Sequence, residues 1–475
     1  MTSTLTPDIC VIGAGSGGLS VAAAAASFGV SVVLVEKARM GGDCLNYGCV
    51  PSKALIAAAR RAEAMRSAGP FGIAGVEPEI DFAKVNRHVH GVIAAIAPND
   101  SVERFTALGV RVIETEARFR DARTLIAGDH EICARRFVIA TGSSPAIPPI
   151  PGLDKVEFLT NETIFDLADR PERLLVIGGG AIGTELAQAF RRLGSEVTLV
   201  EAAAVLGRED PELAAHVVDQ LRAEGVKIFE HAKISSVERR DEAGIRVRIS
   251  GKDGEHLLEG THLLVAIGRK PVTASLGLDA AGIEHSPRGI TVDAGLRTTN
   301  RRIYAIGDVA GGPQFTHAAN YHAGLVLRSI LFRMPVRENH VAIPRVTFTD
   351  PELAHVGLSE ADARQAGKRI SVLRWPYSEN DRAQTERKTE GLIKLIVGRR
   401  GRILGASIVG ADAGEMINMW ALAISRRMKV GALAGYVAPY PTMSEIGKRA
   451  AITYFINATR KPIVRRLVRC LRIFG

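Results

Sequence analysis

An α/β fold built on two Rossmann-like dinucleotide-binding domains is predicted by two glycine turns, one repeated spacing and the length of the chain. Its 475 residues suit two to four domains, each able to bury its own core. The first strand, Asp8 to Ile12, runs into Gly13-Ala14-Gly15-Ser16-Gly17-Gly18, then a helix, then a strand from Ser31 to Val35 ending at Glu36. The pattern recurs: Leu174 to Ile177 leads into Gly178-Gly179-Gly180-Ala181-Ile182-Gly183, a helix, the strand Glu196 to Val200 and Glu201. In both copies the acid falls 18 residues after the last motif glycine.

Each element has a physical reason. Gly13, Gly15 and Gly18, like Gly178, Gly180 and Gly183, permit a tight turn and let backbone approach a pyrophosphate, whose charge rests on the helix N-terminus. Glu36 and Glu201 are placed to accept hydrogen bonds from a ribose diol. One G-x-G-x-x-G is weak evidence, but two in a full strand–turn–helix–strand–acid setting are strong. Glu201 would repel a 2′-phosphate, and no arginine follows it until Arg208, so NAD is favoured over NADP.

Bulk composition sets the class. Hydrophobic content of 46% and charged content of 24% belong to an ordinary soluble globular protein. Ile9 to Val35 lacks any charged residue, which raises a transmembrane flag. Its glycines break it into strand, turn, alanine-rich helix and strand, so a membrane span is rejected. A basic n-region is missing and no secretory signal is expected. Of the net charge of +10, eight units lie beyond Glu445, where no acid occurs, leaving +2 for the rest of the chain. The basic pI therefore describes a tail, and no nucleic-acid partner is predicted.

The chemistry lies in Gly41-Gly42-Asp43-Cys44-Leu45-Asn46-Tyr47-Gly48-Cys49-Val50-Pro51-Ser52-Lys53. Cys44 and Cys49 close a small ring when oxidised, which makes a strained, easily reduced disulfide. Pro51 suits the first turn of a helix, so Cys49 would sit at a helix N-terminus that favours the thiolate. Lys53 adds positive charge within a turn. Two cysteines alone do not complete a zinc site, and five in the chain are few for a structural disulfide framework. A redox-active centre is predicted, with no metal-ligating set.

With both dinucleotide motifs and this C-x4-C pair, the chain resembles the flavin-dependent pyridine nucleotide–disulfide oxidoreductases over residues 7–457. Further support comes from Ala140-Thr141-Gly142, Ala266-Ile267-Gly268-Arg269-Lys270-Pro271, Ile303-Tyr304-Ala305-Ile306-Gly307-Asp308, the run from Phe348 to Gly357, and Pro441-Thr442-Met443-Ser444-Glu445. The resemblance implies an FAD-binding domain over residues 1–147, an NAD-binding domain over 148–271 and completion of the FAD domain over 272–343. It further implies an α+β dimerisation domain over 344–458, making a homodimer, with 459–475 left as a basic tail. The stretch from Gly391 to Gly410, with its turn Gly398-Arg399-Arg400-Gly401, reads as two short alternating strands of that last domain.

The same resemblance implies roles. NADH would deliver hydride to the flavin, and the flavin would pass two electrons to the disulfide. Cys49 would be the thiolate that forms a charge-transfer complex, and Cys44 the interchange thiol that meets the substrate. Lys53, paired with Glu185, would lie beside the flavin and stabilise its reduced form. Asp308 would bind the ribityl chain, and Lys37, Gly42, Ala117, Thr141, Gly142, Gly268 and His317 would complete the cofactor contacts.

Two departures bear on the acceptor. In lipoamide dehydrogenase and glutathione reductase the C-terminal motif reads His-Pro-Thr followed by an orienting glutamate; here it is Tyr440-Pro441-Thr442 with Glu445. A tyrosine near pKa 10 is a poor base at neutral pH, so dithiol–disulfide exchange should be impaired unless a group such as His317 stands in. Mercuric reductases tend to carry tyrosine at this point. They also deliver metal through adjacent C-terminal cysteines, however, and here the tail has only Cys470.

The expected activity is thus NADH-dependent reduction of a metal ion, quinone or small disulfide. The alternatives are a dihydrolipoamide dehydrogenase and a non-catalytic flavoprotein redox sensor. In the tail, Ile463, Val464, Leu467, Val468, Leu471 and Phe474 alternate with Arg465, Arg466, Arg469 and Arg472 at helical spacing. A cytoplasmic protein is expected, with this tail either packed on the dimer or lying on the inner membrane face.

Overall fold

The computed structural model describes residues 3–240, 244–252, 254–459 and 462–474, and the side chains among them other than those of 457–459. It divides into two compact units, residues 1–202 with 229–339, and 203–228 with 340–475.

In the first unit, five parallel strands lie in the order Ile303–Ala305, Arg136–Ile139, Ile9–Ile12, Val32–Glu36, Val110–Glu114. Ile9, Cys10 and Val11 are wholly buried, because a parallel sheet is covered on both faces and its strands read as continuous apolar runs. One face packs against the helices Ser16–Ser27 and Thr316–Phe332; the other packs against Phe119, Leu125 and Ile132. The charge-free stretch from Ile9 to Val35 is accordingly strand, helix and strand. Among the described residues no helix is long and apolar enough to cross a membrane.

A second parallel sheet places Arg173–Ile177 between Glu196–Val200 and His262–Val265. The chain enters and leaves this region through an antiparallel pair, Ser143–Pro145 with Arg269–Pro271. That crossover sets Arg269 opposite Pro145, from where its side chain reaches Ser143.

The second unit has a five-stranded antiparallel sheet in the order Arg345–Thr347, Glu352–Gly357, Ile403–Gly410, Leu392–Val397, Ser371–Pro376. The expected hairpin is present, but its strands do not alternate between buried and exposed residues. Both are buried almost throughout. The reason is helical cover: Ile403–Gly410 packs against the helices Ala413–Ser425 and Pro211–Ala223, and Leu392–Val397 against the helix Glu445–Thr459. Residues 203–228, inside the 148–271 segment, group with this unit by their contacts. Lys394 is a charged residue buried in this sheet, and it meets Asp210, Glu212 and Glu360 at 2.7, 2.9 and 2.9 Å.

Candidate active site

The two glycine turns are built alike. Gly13 and Gly178 adopt φ of 104° and 109°, a region that L side chains avoid. Their amides donate to Val35 O at 2.8 Å and Val200 O at 2.9 Å. Gly18 and Gly183 follow in the first turn of each helix. The amide of Ala14 donates to Glu36 Oε2 at 2.6 Å, and that of Gly179 to Glu201 Oε2 at 2.7 Å. Each acid thereby ties its strand end to the turn.

At Gly15 and Gly180, a Cβ would meet nothing of the protein within 4 Å. Both residues cap a twelve-residue helix, so each turn offers an open cradle at a positive helix end. These residues fit a dinucleotide pyrophosphate. Gly180→Val should leave the fold intact, since the residue has an ordinary φ of −76° and open space. It should weaken NADH binding on the order of 100-fold, the loss of about two charge-assisted hydrogen bonds, with FAD retained. Fluorescence titration of the two ligands checks this.

The redox segment is held against the first turn. Gly41 N–H donates to Ala14 O at 3.0 Å, and a Cβ on Gly42 would come within 2.7 Å of Gly15 Cα. Asn46 Nδ2 donates to Met40 O and Gly42 O at 3.0 and 2.8 Å, closing the short helix Gly42–Asn46. The next helix, Cys49–Arg66, begins at Cys49 itself and carries Pro51 in its first turn, where a missing N–H costs nothing. It packs on the helix after the second glycine turn. There Lys53 Nζ meets Glu185 Oε2 at 2.7 Å, and the carboxylate is only 6% exposed.

Cys44 and Cys49 are unlinked here, with the Cys44 thiol hydrogen-bonded to Cys49. Thr316 Oγ1, at the first position of the helix Thr316–Phe332, lies 3.4 Å from Cys49 Sγ. Two helix N-termini and a lysine therefore surround one sulfur. The Cys49 thiol is pulled down to about 6, first by the Cys44 hydrogen bond and then, against burial, by Thr316 and Lys53. Cys44 moves the other way, because its proton is held by Cys49 and the group is buried. The pair is a thiolate beside a thiol at neutral pH.

Thr316→Val should raise the Cys49 midpoint by about one unit or somewhat more, the value of a hydrogen bond to a charged group, while Thr316→Ser keeps it near the wild type. Alkylation rate against pH in the reduced protein is the measurement. Because the folded pKa lies below that of an unfolded thiol, the thiolate stabilises the reduced fold at alkaline pH. That contribution declines as pH falls below the unfolded value and is lost through about 6.

A polar chain runs beside the cysteines. Asp308, whose carboxyl is raised chiefly by burial, accepts from Ser143 Oγ at 2.5 Å. Arg269 donates to Ser143 Oγ and O, each at 2.7 Å, and its Nη2 meets Asp43 Oδ1 at 3.0 Å. Asn161 Nδ2 donates to Asp43 Oδ1 and Tyr47 O at 3.1 and 3.2 Å. The amide of Gly307 donates to His322 Nδ1 at 3.1 Å, and His322 Nε2 meets Glu338 at 2.5 Å. That bond fixes the turn presenting Asp308. Asp43, Asn161, Ser143, Arg269, Thr316 and His322 had no role in the sequence reading. The first and fourth stand inside quoted motifs; the others carry no spacing signal.

The remaining expected residues are dispersed. Thr141 Oγ1 donates to Val272 O at 2.7 Å, and Gly142 O accepts from Val272 N at 3.0 Å, while Gly268 O accepts from Ala146 N at 2.9 Å. These three close the crossover. Lys37 pairs with Glu116 at 3.5 Å, next to the buried Ala117. His317 is exposed and stacks on Phe315. In the second unit, Tyr440 is 69% exposed and donates to Asp381 Oδ2 at 2.8 Å. That bond raises its pKa further, so its proton is held more firmly. Glu445 opens the helix Glu445–Thr459. Among the described residues no group of three or more His, Cys, Asp or Glu is arranged to hold a metal ion.

Comparison with known proteins agrees with this geometry. Residues 7–323 match the family described as pyridine nucleotide-disulphide oxidoreductase, and residues 343–451 match its dimerisation domain. The chain is 38% identical to the mercuric reductase of Streptomyces lividans over 455 residues, covering 94% of this chain and 96% of that protein. It is 35% identical to the dihydrolipoyl dehydrogenase of Bacillus subtilis (strain 168) over 460 residues, covering 94% and 95%. Among solved structures, the HOCl-induced flavoprotein disulfide reductase RclA from Escherichia coli superimposes with a TM-score of 0.82 at 30% identity, covering 94% of this chain and 99% of that one. Two matched domains, both glycine turns and the cysteine pair lead to one conclusion: this chain belongs to the pyridine nucleotide-disulphide oxidoreductase family, whose members use FAD and NAD(P)H.

Proposed function

We propose that this oxidoreductase passes electron pairs from NADH through Cys49 and Cys44 to an acceptor that needs no protein base, with a soft metal cation favoured. The observation that carries this is Tyr440, whose hydroxyl is engaged with Asp381 at 2.8 Å where a dithiol enzyme needs an imidazole. FAD, when bound, supplies the hydride-accepting chemistry. The chain's own residues hold the glycine cradles open, tie Asp308 to Ser143, and keep Lys53 on Glu185.

Proton balance favours the metal. A hydride carries two electrons and one proton, so reducing the disulfide at pH 7 yields one thiol and one thiolate with no proton taken from water. A divalent cation that receives those electrons re-forms the disulfide and releases the thiol proton; a coordinating cation itself deprotonates a thiol. A disulfide acceptor instead needs a base at Cys44 and a proton for its leaving thiolate.

NADH is preferred on the charge of Glu201, fixed by Gly179 N–H. Several relatives are mercuric reductases, including that of Bacillus cereus at 37% identity, and a quinone or small disulfide is the competing acceptor. The second reading, a dihydrolipoyl dehydrogenase, is favoured by the B. subtilis relative of nearly equal length. NADH oxidation by the FAD-loaded chain decides between them: rapid with Hg(II) and slow with lipoamide supports the proposal, and the reverse order sinks it.

A further inference from the structure

We propose that the segment from Pro462 to Phe474 lies on an anionic lipid surface and docks this flavoenzyme there. The inference stands apart from the identity of the acceptor. Residues Pro462–Leu471 form a helix in which none of the residues is buried. Ile463, Leu467, Val468 and Leu471 are 74%, 57%, 51% and 57% exposed. At the helical advance per residue these positions, with Val464, fall within an arc of roughly 140°, and Arg465, Arg466, Arg469 and Arg472 fill the opposite arc of roughly 120°. Exposed Phe474 and Ile473 continue the apolar material past the helix end. Arg460 and Lys461, also counted in the basic tail, lie outside the described residues.

Three physical arguments select the occupant. A ten-residue helix is marginal alone in water, so a surface must receive its apolar stripe. The helix is far too short to span a bilayer and about a third of its circumference is basic, which suits an in-plane position at the headgroup level. No acid occurs after Glu445, so a second copy of the tail offers no charge complement to four arginines, whereas anionic headgroups do.

The test uses the full FAD-loaded chain and sedimentation with two vesicle preparations, phosphatidylcholine alone and phosphatidylcholine with about a third phosphatidylglycerol. The protein should pellet with the anionic vesicles, not the neutral ones, and added salt should release it. Each Arg→Gln change at 465, 466, 469 or 472 should weaken binding about fivefold. Leu467→Glu should abolish it with NADH-driven flavin reduction unchanged. Failure to pellet, or equal pelleting of the four-arginine variant, overturns the proposal. So does a chain lacking 462–475 that turns monomeric by light scattering while the full chain ignores vesicles, since the helix is then a dimer contact.

Discussion

Cys44→Ser should reduce acceptor-linked NADH oxidation to background while NADH still bleaches the bound flavin at the wild-type rate. The reason is the division of labour between the sulfurs. Cys49 is the stabilised thiolate, facing Thr316 and one turn from Lys53; Cys44 is the thiol whose proton it holds. Serine at 44 keeps a hydrogen-bond donor and nearly the same volume, so Cys49 stays low and the fold is unaffected. What is lost is the second sulfur, and with it any means of storing an electron pair as a dithiol. Rapid mixing with NADH separates the two half-reactions. Cys49→Ser should block turnover as well and additionally remove the alkylation midpoint near 6. If Cys44→Ser turns over a quinone as fast as the wild type, the acceptor is served directly by the flavin and the proposed route through sulfur is wrong.

What could be read from the sequence was local. Each glycine turn and its acid span fewer than thirty residues, so spacing alone set Glu36 and Glu201 at the strand ends beside the turns; their bonds to the turn amides are what the structure adds. The same holds for Cys49 at its helix N-terminus, which Pro51 announces. The tuning of the site is assembled from far apart. Thr316 lies 267 positions from Cys49, and Asp308 lies 165 from Ser143; no periodicity in one sequence links such pairs. Arg269 reaches Ser143 and Asp43 because an antiparallel crossover brings it there. The buried hairpin shows the same limit. The spacing predicts alternation for this hairpin, but the helix Pro211–Ala223, more than 150 residues earlier in the chain, packs on Ile403–Gly410, and Asp210 and Glu212 at its start reach Lys394 on Leu392–Val397. Lys394 is tolerated there only because three carboxylates surround it.

Tyr440→His should raise lipoamide-dependent turnover by about 100-fold or more, the usual contribution of a positioned acid–base group, and should leave metal-ion reduction nearly unchanged. A histidine titrates near neutrality and can take a proton from a thiol and return it to a leaving thiolate. Tyrosine starts protonated, and its bond to Asp381 drives the pKa up rather than down, so it cannot accept that proton at pH 7. The gain should follow a bell-shaped pH profile whose acidic limb reports the new imidazole, and Glu445→Gln in the histidine background should reduce it if that carboxylate orients the ring. Tyr440→Phe separates two remaining roles. It removes the hydroxyl and its bond to Asp381 while keeping the ring, so unchanged Hg(II) turnover means the hydroxyl takes no part in metal reduction. A large loss means it does, and the argument from proton balance would then have to place a donor at the metal. No gain on Tyr440→His would show that some other group already supplies the proton to a disulfide acceptor. The dihydrolipoyl dehydrogenase reading would then be the stronger one, because a chain equipped for that exchange has nothing to recover from an imidazole.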